Sequence, residues 1–311
     1  MKKQNLAEQL TSPSKNSRLE KFGRTITFLC LALIALIVAM ILIFVAQKGL
    51  STFFVNGVNV FDFLFGTKWQ PSVKDSHGQY IMGALPMIAG SFIVTILSAL
   101  IATPFAIGAA IFMTEISPKR GAKLLQPTIE LLTGIPSVVY GFIGLQVVVP
   151  FVRTLFGGTG FGILSGVFVL FVMILPTVTF MTTDSLRSVP RHYREASLAM
   201  GATRWQTIWK VTLHTAKPGI FTAVVFGMAR AFGEALAIQM VVGNSAVMPT
   251  SLLTPASTLT SVLTMGIGNT VMGTVQNNVL WSLALVLLIM SLAFNMLMRF
   301  ITREKKVNYE R

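Results

Sequence analysis

From Tyr80 to Thr114 the chain runs for 35 residues without an Asp, Glu, Lys or Arg. A helix rises 1.5 Å per residue, so about 20 apolar residues cross the roughly 30 Å hydrocarbon layer of a bilayer. A run this long exceeds one span and must tilt, kink or project, and Pro86 and Pro104 offer places for a kink. Thr25 to Ala46 is a second uncharged run, of 22 residues. Its polar lead and its length argue against a cleaved signal peptide. Only 12% of the 311 residues are charged, about half the share in soluble domains, which makes this an all-α integral membrane protein.

The net charge of +14 does not point to nucleic acid, because the basic residues sit at the ends of the apolar segments, as topology signals do. Residues 1–24 carry six of them and are read as a disordered cytoplasmic tail, followed by a first crossing at 25–46. Residues 47–80, with Phe53, Phe54, Phe61, Phe63, Phe65 and Trp69 among polar residues, read as an extracytoplasmic, interfacial aromatic segment. Five further crossings make up a core at 81–301. They are Tyr80 to Thr114; Leu131 to Val152, started by Pro127 and Glu130; Ile163 to Thr183; Gly219 to Gly243; and Val279 to Met298. Residues 244–278 read as an outer loop with a short surface helix, and 302–311 as a cytoplasmic tail. This topology places twenty Lys and Arg inside against four outside (Lys48, Lys68, Lys74, Arg153), so six transmembrane helices with both termini in the cytoplasm are expected.

Asp184 to Pro218 is the long charged island between two apolar segments. Within it, Glu195-Ala196-Ser197, Gly201 and then Val211-x-Leu213 read as two short amphipathic helices meeting at a glycine. Gly201 supplies a backbone conformation that a residue with a Cβ resists. Ala196, Ser197 and Ala199 keep the first helix thin enough for a groove on a partner, although a charged loop alone would more simply be a solvated connector.

This spacing resembles the EAA loop of ATP-binding-cassette importer permeases: EAA, three residues, G, nine residues, I-x-L-P. Ser197, Val211 and His214 depart from that pattern. The resemblance implies a type I importer permease fold and a loop that docks on a cytoplasmic ATPase.

A second site is expected at Arg230, placed by the sequence in the middle of the fifth crossing. An arginine at a helix centre costs about 2.5 to 3.5 kcal/mol on insertion scales, so a functional or paired role is its default. Glu234 follows four residues on, predicted to share its helix face with Gly227 and Arg230. The pair is either a structural ion pair or an anion site, in which the guanidinium offers parallel donors and the carboxylate keeps the ion from binding irreversibly. Phosphate keeps a proton to donate to Glu234, whereas sulfate has none. Ser137, Tyr140 and Thr177 are uncharged lining candidates, although polar residues beside a kink also serve to satisfy freed backbone groups. Gly134, Gly141 and Gly144 permit close helix contact there, and Pro136 frees a carbonyl.

Gly134-Ile-Pro-Ser-Val-Val-Tyr-Gly141, Arg194 to Trp205, Ala229-Arg-Ala-Phe-Gly-Glu-Ala-Leu236 and the outer Trp69-Gln-Pro71 together look like the PstC-type permeases of phosphate importers. That resemblance implies a PstA-type second permease, a PstB-type ATPase dimer and a PstS-type extracytoplasmic phosphate-binding protein as partners, with Arg230 and Glu234 on the phosphate path. It also implies a multi-pass location in the cytoplasmic membrane. No G-x-x-x-x-G-K-[ST] occurs, so ATP and Mg belong to the partner ATPase and no cofactor or metal is expected in this chain. His77, His192 and His214 lie on separate segments, away from ligand spacing. The remaining readings are a permease for sulfate, molybdate or phosphonate, and a membrane sensor or scaffold.

Overall fold

The computed structural model describes residues 15–74, 78 and 80–303. Helix α1 spans Lys15–Phe54. Residues 1–14 of the expected tail lie outside the described residues, but from Lys15 onward the chain is helical rather than disordered. Helix-favouring Leu19, Glu20 and Lys21 extend the apolar helix toward its N-terminus. The chain divides into two compact units, Met1–Lys48 and Gly49–Arg311. In the first, the apolar side chains of α1 are almost all exposed, Phe28 at 69% and Leu31 at 61%.

The second unit opens with a helix and a strand hairpin. Asn59 caps helix α2 (Val60–Phe65), accepting from the Phe61 N–H at 2.9 Å. Strands β1 (Trp69–Lys74) and β2 (Tyr80–Met82) pair antiparallel. The aromatic residues here are not simply interfacial: Phe63 is fully buried with Met82, Met87, Leu259 and Leu283.

Helix α3 (Leu85–Ile116) ends in a π turn at Phe112–Ile116. It packs along α6 (Ile163–Arg187). Without a hydrophobic driving force inside a bilayer, helices associate through close packing of small residues. Ala99, Ala102, Ala106 and Ala110, repeating at three and four residues, form such a buried stripe on α3.

The third crossing starts later than the sequence suggests. Pro127 lies inside a separate amphipathic helix, α4 (Arg120–Gly134). The chain then breaks at Ile135, which is extended (φ −70°, ψ 128°) as a residue before proline prefers, and Pro136 leads into α5 (Ser137–Phe156). Gly134 meets no neighbour. Gly141 does, since a Cβ there would lie 2.9 Å from Ala237 Cα.

After α6 come α7 (Arg191–Ala199) and a continuous helix α8, built from Arg204–Thr207, a π turn at Ile208–Thr212 and Leu213–Phe232. Here the second large difference appears: α8 stops at Phe232, and a separate helix α9 covers Leu236–Val241. Helix α10 (Leu259–Ile267) is buried only in its first turn, at Leu259, Thr260 and Ser261, and exposes Thr264 and Met265. Its N-cap, Thr258, forms a reciprocal capping pair with Ser261, and Ser91 of α3 accepts from the Leu259 N–H at 2.9 Å. Helix α11 (Val275–Arg303) closes the unit.

Among the described residues, five helices are long and apolar enough to cross a membrane: α1, α3, α5, α6 and α11.

Candidate functional site

Two clusters hold the residues singled out from the sequence. In the first, Arg230 lies in the last turn of α8, not at the middle of an unbroken helix. A cation at this end complements the helix dipole. Its Nη1 donates to the Thr177 hydroxyl on α6 at 2.7 Å. Thr177 is buried whereas Arg230 is exposed, so a buried side chain on a neighbouring helix holds a guanidinium at the surface of the chain.

Glu234 is not its ion-pair partner. It lies beyond the end of α8, past Gly233, so the expected shared helix face does not exist. Its Oε1 instead accepts from the Ala237 N–H at 3.1 Å, satisfying an unpaired donor at the start of α9. Its backbone carbonyl accepts from the Thr260 hydroxyl at 2.7 Å. Glu234 borders a small recess with the hydroxyl-bearing Ser91, Thr95, Thr258 and Thr260. A break of this kind at membrane depth persists only where protein groups re-satisfy the freed backbone, and Glu234 and Thr260 do so. The structural ion-pair reading of Arg230 and Glu234 is thereby removed.

Tyr140 has a local task as well. Its hydroxyl donates to the Leu132 carbonyl at 2.7 Å, spanning the α4–α5 break. Ser137 occupies the first position of α5 and is half-buried. Thr177 is thus the lining candidate that touches Arg230 directly.

The second cluster is the charged loop. Gly201 has φ +82°, in the left-handed region, between α7 and α8. Thr203 caps α8 in a reciprocal pair with Gln206. The Ser197 and Thr207 hydroxyls lie 2.9 Å apart and join the two helices, while Glu195 and Ala196 stay exposed. Val211 and Leu213 are half-buried on α8, which runs without interruption past the exposed His214. Beneath the loop, Ala110, Ile111, Leu186, Val189, Ile208 and Ala216 form a core of their own.

The sequence reading missed what ties this loop down. Arg194 donates from Nη2 to Glu115 Oε1 at 2.8 Å and from Nε to the same oxygen at 3.0 Å. It also donates to the Leu186 and Val189 carbonyls, both at 2.8 Å. Arg204 donates to the Glu115 backbone carbonyl. One residue in the π turn of α3 therefore holds both halves of the loop, Arg194 through its carboxylate and Arg204 through its backbone carbonyl. The available signal was a lone acid just ahead of Lys119, Arg120 and Lys123.

The loop exposes large apolar side chains among its charges. Met200 is 88% exposed, and Trp205 and Trp209 stack with ring centroids 6.1 Å apart, both exposed. Exposed aromatic residues with an unbranched methionine are a common composition for a protein-contact surface.

Comparison with known proteins shows the family of the chain as a whole. Residues 102–307 match the family described as "Binding-protein-dependent transport system inner membrane component". The chain is 52% identical over 304 residues to the probable ABC transporter permease protein YqgH of Bacillus subtilis, covering 97% of each chain. It is 32% identical over 281 residues, 82% of each chain, to the phosphate transport system permease protein PstC of Mesorhizobium japonicum. Among solved structures it resembles a chain of a bacterial ABC transporter involved in import of the acidic polysaccharide alginate. That match has a TM-score of 0.61 and 15% identity, covering 93% of this chain and 99% of the other. It also resembles a chain of the inward-facing methionine transporter MetNI, with a TM-score of 0.54, 21% identity and coverage of 71% and 94%. At these identities the structural likeness is one of fold.

Proposed function

Because the chain belongs to the family of binding-protein-dependent transport system inner membrane components, we propose that it conducts inorganic phosphate as one of two permeases in an ATP-driven importer. As a member of that family it is a multi-pass protein of the cytoplasmic membrane and a transport subunit rather than an enzyme. The observation that carries the phosphate reading is Arg230, an exposed guanidinium held by Thr177 beside a helix break. A planar guanidinium suits a tetrahedral oxyanion, and its exposed side faces the surface that a second permease would cover. The similarity to PstC proteins supports phosphate as the anion.

The break also bears on anion choice. Glu234 uses one carboxylate oxygen on Ala237, leaving the other to accept the proton that phosphate carries and sulfate lacks. A sixth crossing is made by α8, completed across the break by α9, with both termini in the cytoplasm. The loop's exposed apolar side chains dock on an ATPase, which supplies ATP and Mg. Closure of the ATPase dimer then shifts the permease toward its outward-facing arrangement through contacts that differ between the two states. A PstA-type permease and a PstS-type binding protein complete the assembly.

The test is ATP-dependent uptake of labelled phosphate by the reconstituted complex, with excess sulfate or molybdate as competitor. Wild-type uptake should resist competition, and Arg230→Gln should abolish it while the complex still assembles. Normal uptake by that variant would return Arg230 to a structural role, and failure of the wild type to take up phosphate would overturn the choice of cargo.

A further inference from the structure

Helices α3 and α8 run side by side but leave a groove of about 760 Å³ between them, which shares Trp209, Leu213 and His214 with the charged-loop cluster. Its walls extend from Ile96 to Ile107 on α3 and from Trp209 to Met228 on α8. The α3 wall, and the apolar stretch of α8 that follows Lys217, each cover eleven residue steps, or about 16 Å. That is close to half of a roughly 30 Å hydrocarbon layer, so the groove is as deep as one leaflet. Along this length it is apolar, and Leu100 on its wall is 64% exposed.

The two ends differ. One closes on aliphatic and thioether side chains at Ile96 and Met228, whereas the other carries Trp209, His214 and Lys217. No carboxylate lines the groove. Lys217 and His214 are both exposed at its mouth, and Trp209, 61% exposed, is an amphipathic ring of the kind that settles at headgroup level. A cationic mouth over a leaflet-deep apolar slot matches a molecule with an anionic head and a hydrocarbon tail. Basic pockets between transmembrane helices bind acidic headgroups on this principle. A crossing helix fits less well, since it would continue past Met228 for the second leaflet and would bury Lys217 against apolar side chains.

We propose that the α3–α8 groove is a binding site for an anionic phospholipid, with an acyl chain along the groove and the headgroup phosphate against Lys217, His214 and Trp209. The same three residues follow the Arg204 start of α8, so the lipid contacts the helix that emerges from the charged loop. The site requires only that the chain spans a membrane and is independent of which anion is carried.

The experiment is native mass spectrometry of the intact complex, purified with its lipids and then exchanged against equimolar phosphatidylglycerol and phosphatidylcholine. Wild type should retain phosphatidylglycerol in at least fivefold preference. Lys217→Gln combined with His214→Gln should lose that preference with subunit composition unchanged. Equal retention of the two lipids by wild type, or an unaltered preference in the double variant, would overturn the proposal. So would a disulfide from Leu100→Cys, in a Cys30→Ser background, to a cysteine on the second permease, because a protein helix would then fill the slot. A bulky Leu100→Trp, which fills the slot without touching the mouth, should lower retention of phosphatidylglycerol as well.

Discussion

Thr177 is the residue on which the placement of Arg230 turns. Its hydroxyl is held by α6, whereas the long arginine side chain it fixes comes from the end of a different helix. Hydrogen bonds to charged groups are worth about 1.5–3 kcal/mol when protected. With Arg230 exposed, about 1 kcal/mol is the expected loss in Thr177→Val, a roughly fivefold fall in phosphate uptake. Thr177→Ser keeps the acceptor and should restore uptake, a rescue that a mere packing role would not give. Val and Ser variants of equal activity would refute the positioning role. Glu234 makes a separate prediction, because Gln at this position keeps the bond from Ala237 through its amide oxygen but loses the negative charge. Discrimination between phosphate and sulfate should narrow in Glu234→Gln while the helix break survives. An unchanged competition profile in uptake assays would show that the carboxylate has no part in anion choice.

Between elements, the critical connection is the one from α3 to the charged loop through Glu115. Its side chain is 11% exposed and that of Arg194 is 21% exposed, so the ion pair is partly shielded from solvent. Replacing Glu115 by Gln removes the charge while leaving an acceptor, which should loosen α7 by about 1.4 kcal/mol, or about tenfold in local opening. Amide hydrogen exchange in α7 should accelerate to that extent and transport per ATP hydrolysed should drop. Unaltered exchange would mean that α7 is held by the Leu186 and Val189 carbonyls alone. This link could not be seen in the sequence because 79 residues separate its partners. The breaks were only partly legible. Ile135 before Pro136 was a local signal for the end of α4, yet Pro127 and Glu130 gave an equally good helix start and misdirected the boundary. At Gly233, by contrast, the sequence continues apolar apart from Glu234 and Gln239. The break depends on the local bond from the Ala237 N–H to Glu234 and on Thr260, which only tertiary packing brings to Glu234. Residues whose meaning is local, such as Gly201 with its left-handed turn, were readable at once.

For the whole molecule the deciding element is α8. It is less apolar than α1, α3, α5, α6 and α11, since Arg204, Lys210 and Lys217 burden its first half and Arg230 its end. From Pro218 to Phe232 it provides 15 residues, about 22 Å, which is short of a roughly 30 Å hydrocarbon layer. The missing length is available only if α9 continues the path beyond the break, and a discontinuous crossing of this kind places backbone and Glu234 near the depth at which an anion would pass. The proposed crossing accords with the bias of Lys and Arg toward the cytoplasm, since without it the 187–217 cluster and the C-terminal cluster would fall on opposite sides. The prediction is read with single cysteines in a Cys30→Ser background and a membrane-impermeant maleimide. Ser72→Cys and Thr159→Cys, exposed in the hairpin and in the α5–α6 turn, should label in intact cells, and Ser188→Cys should label only after permeabilisation. Val247→Cys decides the matter: this position is 54% exposed and lies after α9. Labelling of Val247→Cys in intact cells places it with Thr159 and makes α8 and α9 together the sixth crossing. Protection until permeabilisation places it with Ser188, which would leave five crossings and move Arg230 out of any path through the bilayer.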